Sequence, residues 1–287
     1  MLEKLFAAKL RDLAPASALD QENVLQEIVQ HVILASLAKT DFFSRAAFQG
    51  GTCLRVLNGL NRFSEDLDFI LKRPDASFQW QPFLDVVRAD GDALGIPFEI
   101  QGKSEVATAV RKAFLKTNAV GTTLAIALPF PRRPRKLRVK LEVDTNPPAG
   151  SEFVPAYITF PTAAALTAQT LESSFALKIH ALLCRDYVKG RDWFDFIWYV
   201  SRRVRPNLAL LANALAQTGP WQGKSQSLNV KSVNADWVRE QISKKIRKLD
   251  WAAARNDVAR FLPLSEQPAL ALWGAPFFLD VASRLAG

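Results

Sequence analysis

The sequence predicts an α+β protein: a mixed sheet with helices over residues 1–160, then a helical domain over 161–287. Three observations carry this. Runs with the two-residue period of strands are confined to the stretch between Ala46 and Val143. Helical spacing dominates after about Pro161, and the Asn146-Pro147-Pro148 break sets the boundary between Ala149 and Pro161. A chain of 287 residues has room for two domains, and 49% hydrophobic with 23% charged residues is ordinary globular composition.

The elements follow in order. Val24, Leu25, Ile28, Val29, Val32, Ile33 and Leu37 predict a helix over 21–39 with Asp20 as its N-cap. Ala46-Ala47-Phe48 reads as a short strand, Gln49 to Thr52 as a turn, and Thr52 to Asn58 as a helix stopped by Gly59. Ser64 to Leu71 reads as a strand with Leu67, Phe69 and Leu71 on one face, and Phe78 to Leu94 as a helix. Strands are expected at Phe98–Ile100, Val106–Val110, Thr122–Leu128 and Leu137–Val143. Helices are expected over 172–188, 192–203, 207–217, 233–247 and 265–285, with a polar loop over 222–229.

Charge and cysteine usage bound the function. The balance of 37 basic to 28 acidic residues, net +9, favours nucleic acid, nucleotides or another polyanion as partner. Cys53 and Cys184 form no CxxC pair, and with only His31 and His180 beside them a zinc site is not expected. Low cysteine usage fits a reducing cytoplasm. The N-terminal twenty residues lack a long apolar core, so no signal peptide is expected, and no uncharged run reaches the length of a membrane span. The chain contains no GxxxxGK[ST], HExxH, GxSxG or kinase signature.

The chemistry concentrates in Gly50-Gly51-Thr52 and Asp66-Leu67-Asp68. A small-residue turn opening a helix offers backbone N–H groups to phosphate. Two carboxylates at i and i+2 point the same way only on a strand, and like charges so close suit a divalent cation. A lone DxD fits a solvated strand face; the preceding Gly-Gly-Thr makes the combination much rarer. Arg62 precedes the pair and could contact phosphate. Glu142 and Asp144, on the polar face of their strand with Arg138 and Lys140, both qualify as a third acid, and strand parity does not choose between them.

These residues resemble the DNA polymerase β-like nucleotidyltransferases, and more narrowly the AbiEii/AbiGii (MenT-like) toxins of toxin–antitoxin and phage-defence systems. The matching pieces are Phe48-Gln49-Gly50-Gly51-Thr52-Cys53-Leu54-Arg55, Arg62-Phe63-Ser64-Glu65-Asp66-Leu67-Asp68-Phe69, Lys140-Leu141-Glu142-Val143-Asp144, Lys178, and Gly190-Arg191-Asp192-Trp193-Phe194-Asp195. The resemblance implies a polymerase β-like domain completed by the helical domain. It implies two Mg2+ ions, or Mn2+ in their place, on Asp66, Asp68 and Glu142, with Asp144 as the runner-up third acid. It assigns an NTP to Gly50, Gly51, Thr52, Arg62, Ser64 and Lys178. Asp192, Asp195 and Arg191 would close the cleft and position Lys178 or the nucleotide. Read from the residues alone, Lys178 suits an exposed helical stripe, Asp192 an N-cap, and Arg191 a partner for either Asp.

Arg132, Arg133, Arg135 and Lys136 form a basic hairpin loop before the acidic strand, a candidate phosphate-backbone surface; a second basic run is Lys244, Lys245, Arg247 and Lys248. The expected activity is metal-dependent transfer of NMP from an NTP to RNA, by resemblance the tRNA 3′ end, by a toxin with a cognate antitoxin. The alternatives are transfer to a protein side chain, and a non-catalytic RNA- or partner-binding protein.

Overall fold

A computed structural model describes residues 2–103, 109–117, 130, 136–222 and 232–286. The chain divides into two compact units, Met1–Pro147 with Phe153–Ala168, and Pro148–Glu152 with Gln169–Gly287. The division falls later than residue 160 because the chain stays in strands through 164–169 instead of turning helical after Pro161.

The first unit is built on a seven-stranded mixed sheet in the order β3-β4-β5-β2-β1-β7-β6. The strands are β1 (Ala46–Gln49), β2 (Leu67–Leu71), β3 (Glu99–Lys103), β4 (Val110–Thr117), β5 (Leu137–Asp144), β6 (Phe153–Ile158) and β7 (Ala164–Gln169). β2 runs antiparallel to β1 and parallel to β5, and this places the functional residues: Leu67 lies opposite Leu141 and Asp68 opposite Glu142. Leu67 and Phe69 on β2, with Val139, Leu141 and Val143 on β5, are buried on one face, so the intervening acids rise on the other. Its helices are α1 (Leu2–Asp12), α2 (Ala18–Leu37), α3 (Phe42–Arg45), α4 (Gly50–Asn58) and α5 (Gln81–Ala93). α2 buries Val24, Ile28, Val32 and Ile33 in the same core as Leu67, Phe69, Leu141 and Val143.

Several expectations need correction. The N-cap of α2 is Ser17, whose side chain accepts from Asp20 N–H; Asp20 lies inside the first turn. α4 starts at Gly50, earlier than Thr52, while Gly59 does end it, in the left-handed region at φ 70°. β2 starts at Leu67, so Ser64 to Asp66 are a lead-in segment outside the ladder. β4, β6 and β7 were not expected as strands at those positions. The expected Thr122–Leu128 strand, and most of the Val106–Val110 strand and the 222–229 loop, lie outside the described residues.

The second unit is helical: α6 (Leu171–Cys184), α7 (Gly190–Ser201), α8 (Leu208–Gln217), α9 (Ala235–Lys248), α10 (Trp251–Ala259), a 3₁₀ turn (Gln267–Leu272) and α11 (Ala275–Ser283). The expected 265–285 helix is the 3₁₀ turn and α11, separated at Gly274, and α10 was unforeseen. Trp193 meets Trp251 and Phe278 edge-on, with ring centroids 5.4 Å apart in both pairs, and Trp251 stacks on Phe278. Trp193 and Trp198 are thus buried packing residues. No described helix is long and apolar enough to cross a membrane.

Candidate functional site

In the first unit, α4 begins directly over the acids. Gly50 has φ +79°, and a Cβ there would lie 2.5 Å from Asp68 Oδ2. A Cβ on Gly51 would run into the guanidinium of Arg62 and stand 3.2 Å from Ser64 Oγ. The turn is therefore glycine because carboxylate, guanidinium and hydroxyl all press against its backbone. Gly50, Gly51, Arg62, Ser64 and Asp68 are gathered here as the sequence suggested. Arg62 is buried rather than open to solvent, and its Nη1 donates to Phe63 O at 3.0 Å. Thr52 is fully buried and its hydroxyl donates to Asp66 O, so that hydroxyl holds backbone. Cys53, one residue on, is buried, and burial followed by the Asp68 charge pushes its thiol up to about 12.

Lys140 lies among the acids. Its Nζ is 2.9 Å from Glu142 Oε2 and 3.9 Å from Asp66 Oδ2. Burial works against its charge, but the Glu142 hydrogen bond and the charges of Asp66, Glu142 and Asp68 outweigh that and raise its pKa. Lys112 Nζ stands 3.8 Å from Glu142 Oε1. Asp144 lies opposite Ile70, one strand repeat beyond Glu142, and its Oδ1 accepts from Asn146 N–H at 2.9 Å. Burial raises its pKa, with the Asn146 bond opposing. Glu142 rather than Asp144 thus stands beside Asp68.

Among the described residues, no group of three or more His, Cys, Asp or Glu side chains is drawn together closely enough to hold a metal ion. The donor chemistry nonetheless suits a hard cation: Asp66, Asp68 and Glu142 offer only carboxylate oxygens, and the Lys140 ammonium lies between Asp66 and Glu142.

In the second unit, Lys178 is not on an exposed stripe. Its Nζ lies 2.6 Å from Asp192 Oδ1 and 2.8 Å from Asp195 Oδ2, and the two acids are 3% and 0% exposed. Asp192 is not the N-cap of α7, a place taken by Lys189. Arg185 Nη1 lies 3.1 Å from Asp192 Oδ2, within ion-pair range but off hydrogen-bond geometry, leaving both buried atoms without a hydrogen bond among the described residues. Burial works to raise the Asp192 pKa, and Lys178, Lys189 and Arg185 override it, holding the carboxyl well below the usual range. Burial lowers the Lys189 pKa, against the attraction of Asp192 and with the repulsion of Arg185, Lys178 and Arg191. Arg191 Nε is 3.7 Å from Asp257 Oδ2 and its guanidinium lies over Phe261. Arg185, Lys189 and Asp257 were missed; only the cation spacing around Asp192 in the sequence could have signalled the first two.

Of the expected basic loop, Arg132, Arg133 and Arg135 lie outside the described residues. Lys136 is exposed, with its Nζ 3.5 Å from each Glu99 carboxylate oxygen. On α9, Arg239, Ser243 and Arg247 form a row that lines a groove of about 480 Å³ with Leu279 and Ser283 of α11. Glu240 and Lys244, paired at 2.7 Å, complete the groove.

The sequence profile of a family described as "Nucleotidyl transferase AbiEii toxin, Type IV TA system" matches residues 32–279. No curated protein matches the chain. Among solved structures, the nucleotidyltransferase toxin MenT4 of Mycobacterium tuberculosis superposes with a TM-score of 0.53 at 19% identity, covering 99% of each chain. That likeness is one of fold. Two Helicobacter pylori structures, each 20% identical, give TM-scores of 0.49; one covers 91% of this chain and 92% of its own, the other 92% and 91%.

Proposed function

The chain belongs to the AbiEii nucleotidyl transferase toxin family of type IV toxin–antitoxin systems, and from that premise we propose that it transfers NMP from an NTP to an RNA hydroxyl, with the tRNA 3′ end as the favoured acceptor. The observation that carries the reading is the register of β2 and β5, which sets Asp68 beside Glu142 under the glycine turn of α4.

In this reading Asp66, Asp68 and Glu142 hold magnesium, which when bound supplies positive charge to the α-phosphate and lowers the pKa of the acceptor hydroxyl. The N–H groups opening α4 receive phosphate oxygens, and the close approach of Gly50 and Gly51 leaves the backbone bare for them. The acceptor hydroxyl would attack the α-phosphorus, Glu142 would take its proton, and the bond to pyrophosphate would break in line with the new one. Lys140, with its Nζ 2.9 Å from Glu142 and 3.9 Å from Asp66, neutralises charge at the edge of the site. The α9–α11 groove and the net charge of +9 favour RNA over a protein acceptor.

The test is transfer of α-³²P label from each NTP to total bacterial RNA with Mg2+. Label on a tRNA-sized band, absent with γ-labelled NTP and lost by at least about 100-fold in Asp66→Asn/Asp68→Asn, supports the proposal. Label on protein alone replaces the acceptor. RNA binding without transfer, unchanged in the double variant, replaces the enzyme reading.

A further inference from the structure

Residues 63–66 carry Asp66 but precede the β2 ladder, which starts at Leu67. A segment so close to the core has to satisfy its backbone carbonyls by other means. Four consecutive carbonyls are caught by side chains. Arg62 Nη1 donates to Phe63 O at 3.0 Å, Gln30 Nε2 to Ser64 O at 2.8 Å, Gln26 Nε2 to Glu65 O at 3.2 Å, and the Thr52 hydroxyl to Asp66 O. Gln26 and Gln30 stand four apart on α2, so they share one helix face. Gln26 Nε2 also donates to Arg138 O at 2.8 Å, joining the lead-in of β2 to the start of β5, the strand that carries Glu142. Gln30 is 1% exposed and is a costly place for an amide that packing alone would fill with an apolar side chain.

We propose that Gln26 and Gln30 are positioning residues of the nucleotidyl-transfer site: they replace the missing ladder bonds ahead of β2 and fix Asp66 against Glu142. The inference rests on the proposed function, since it takes Asp66 and Glu142 to be the working acids. Neither glutamine touches substrate in this assignment. They act through the backbone of the segment they hold, so their loss misplaces one carboxylate without removing any group that binds the nucleotide.

The test uses the full chain with Gln30→Met and Gln26→Met/Gln30→Met, which keep side-chain volume and remove the donors. Transfer from the preferred α-labelled NTP is measured well below the melting temperature, with Mn2+ affinity followed by electron paramagnetic resonance. The expected result is a kcat about tenfold lower in the single variant and about 100-fold lower in the double, with KM for the NTP within about twofold. Mn2+ binding weakens in parallel. A lower melting temperature with kcat and Mn2+ affinity unchanged means the glutamines only support the fold, and overturns the inference. If the double variant does not fold, Gln26→Met, at a half-buried position, reads the same kcat–KM split. Wild-type protein without any transfer would overturn the proposed function itself, and this inference with it, a result distinct from active wild type with unaffected variants.

Discussion

At the scale of single residues, the two charged clusters make opposite demands. Lys178 faces two acids with almost no solvent, so Lys178→Met strands buried charge and should cost about 3–5 kcal/mol in urea denaturation at pH 7. The Asp192 carboxyl is held low, so its contribution to stability is present above the unfolded carboxylate pKa of about 4 and is lost only as pH falls through its lower folded value. The penalty of Lys178→Met should therefore shrink in acid, where the stranded carboxyls protonate. Asp144 runs the other way. Burial raises its folded pKa, so its charge costs stability as pH rises through that value. Asp144→Asn, still able to accept from Asn146 N–H, should raise the melting temperature at pH 7, with the gain vanishing below about pH 4. The candidate acids were legible by type and spacing, whereas Lys178 read as an exposed helical residue and was singled out only by the family resemblance. The partners drawn from other elements were not: Arg185 and the glutamines of α2 are distant in sequence from what they touch, and no local pattern announces which side chain crosses to which group.

At the scale of elements, α4 is bounded by two left-handed glycines whose substitution should differ. At Gly59 a Cβ meets nothing within 4 Å, so Gly59→Ala carries only the backbone strain, about 1 kcal/mol by thermal denaturation. At Gly50 the same strain adds to overlap with Asp68 Oδ2, so Gly50→Ala should cost about 2–3 kcal/mol and displace the carboxylate, with transfer activity falling further than stability. α9 offers a separate check on the RNA reading. Lys244→Gln/Arg247→Gln should reduce the slope of log affinity against log salt for labelled tRNA by about two, measured by fluorescence anisotropy. Strands β2 and β5 were readable because apolar and charged residues alternate through them. β6 and β7 were hidden: Phe153–Ile158 contains Pro155 and exposes Val154 and Tyr157, and Ala164–Gln169 is rich in small residues, so neither has the alternation of a half-buried strand.

At the scale of the molecule, the α+β class and the helical second half were legible in composition and period, whereas the join was not, because pairing of Phe48 with Ala168 is a long-range contact that recruits β7 to the first unit's sheet. The net charge of +9 acts over the whole surface, so association with RNA should slow about tenfold or more between 50 mM and 500 mM salt in stopped-flow measurements. Cys53 has a practical consequence. Its thiol is sealed beneath the glycine turn and stays protonated at any ordinary pH, so alkylating reagents reach a reactive thiolate only when α4 lifts. The chain carries a native clock for the breathing of its acidic corner: the iodoacetamide modification rate of Cys53, resolved from Cys184 by peptide mass spectrometry, times the opening events, and a nucleotide that clamps the turn should slow that clock without any engineered label.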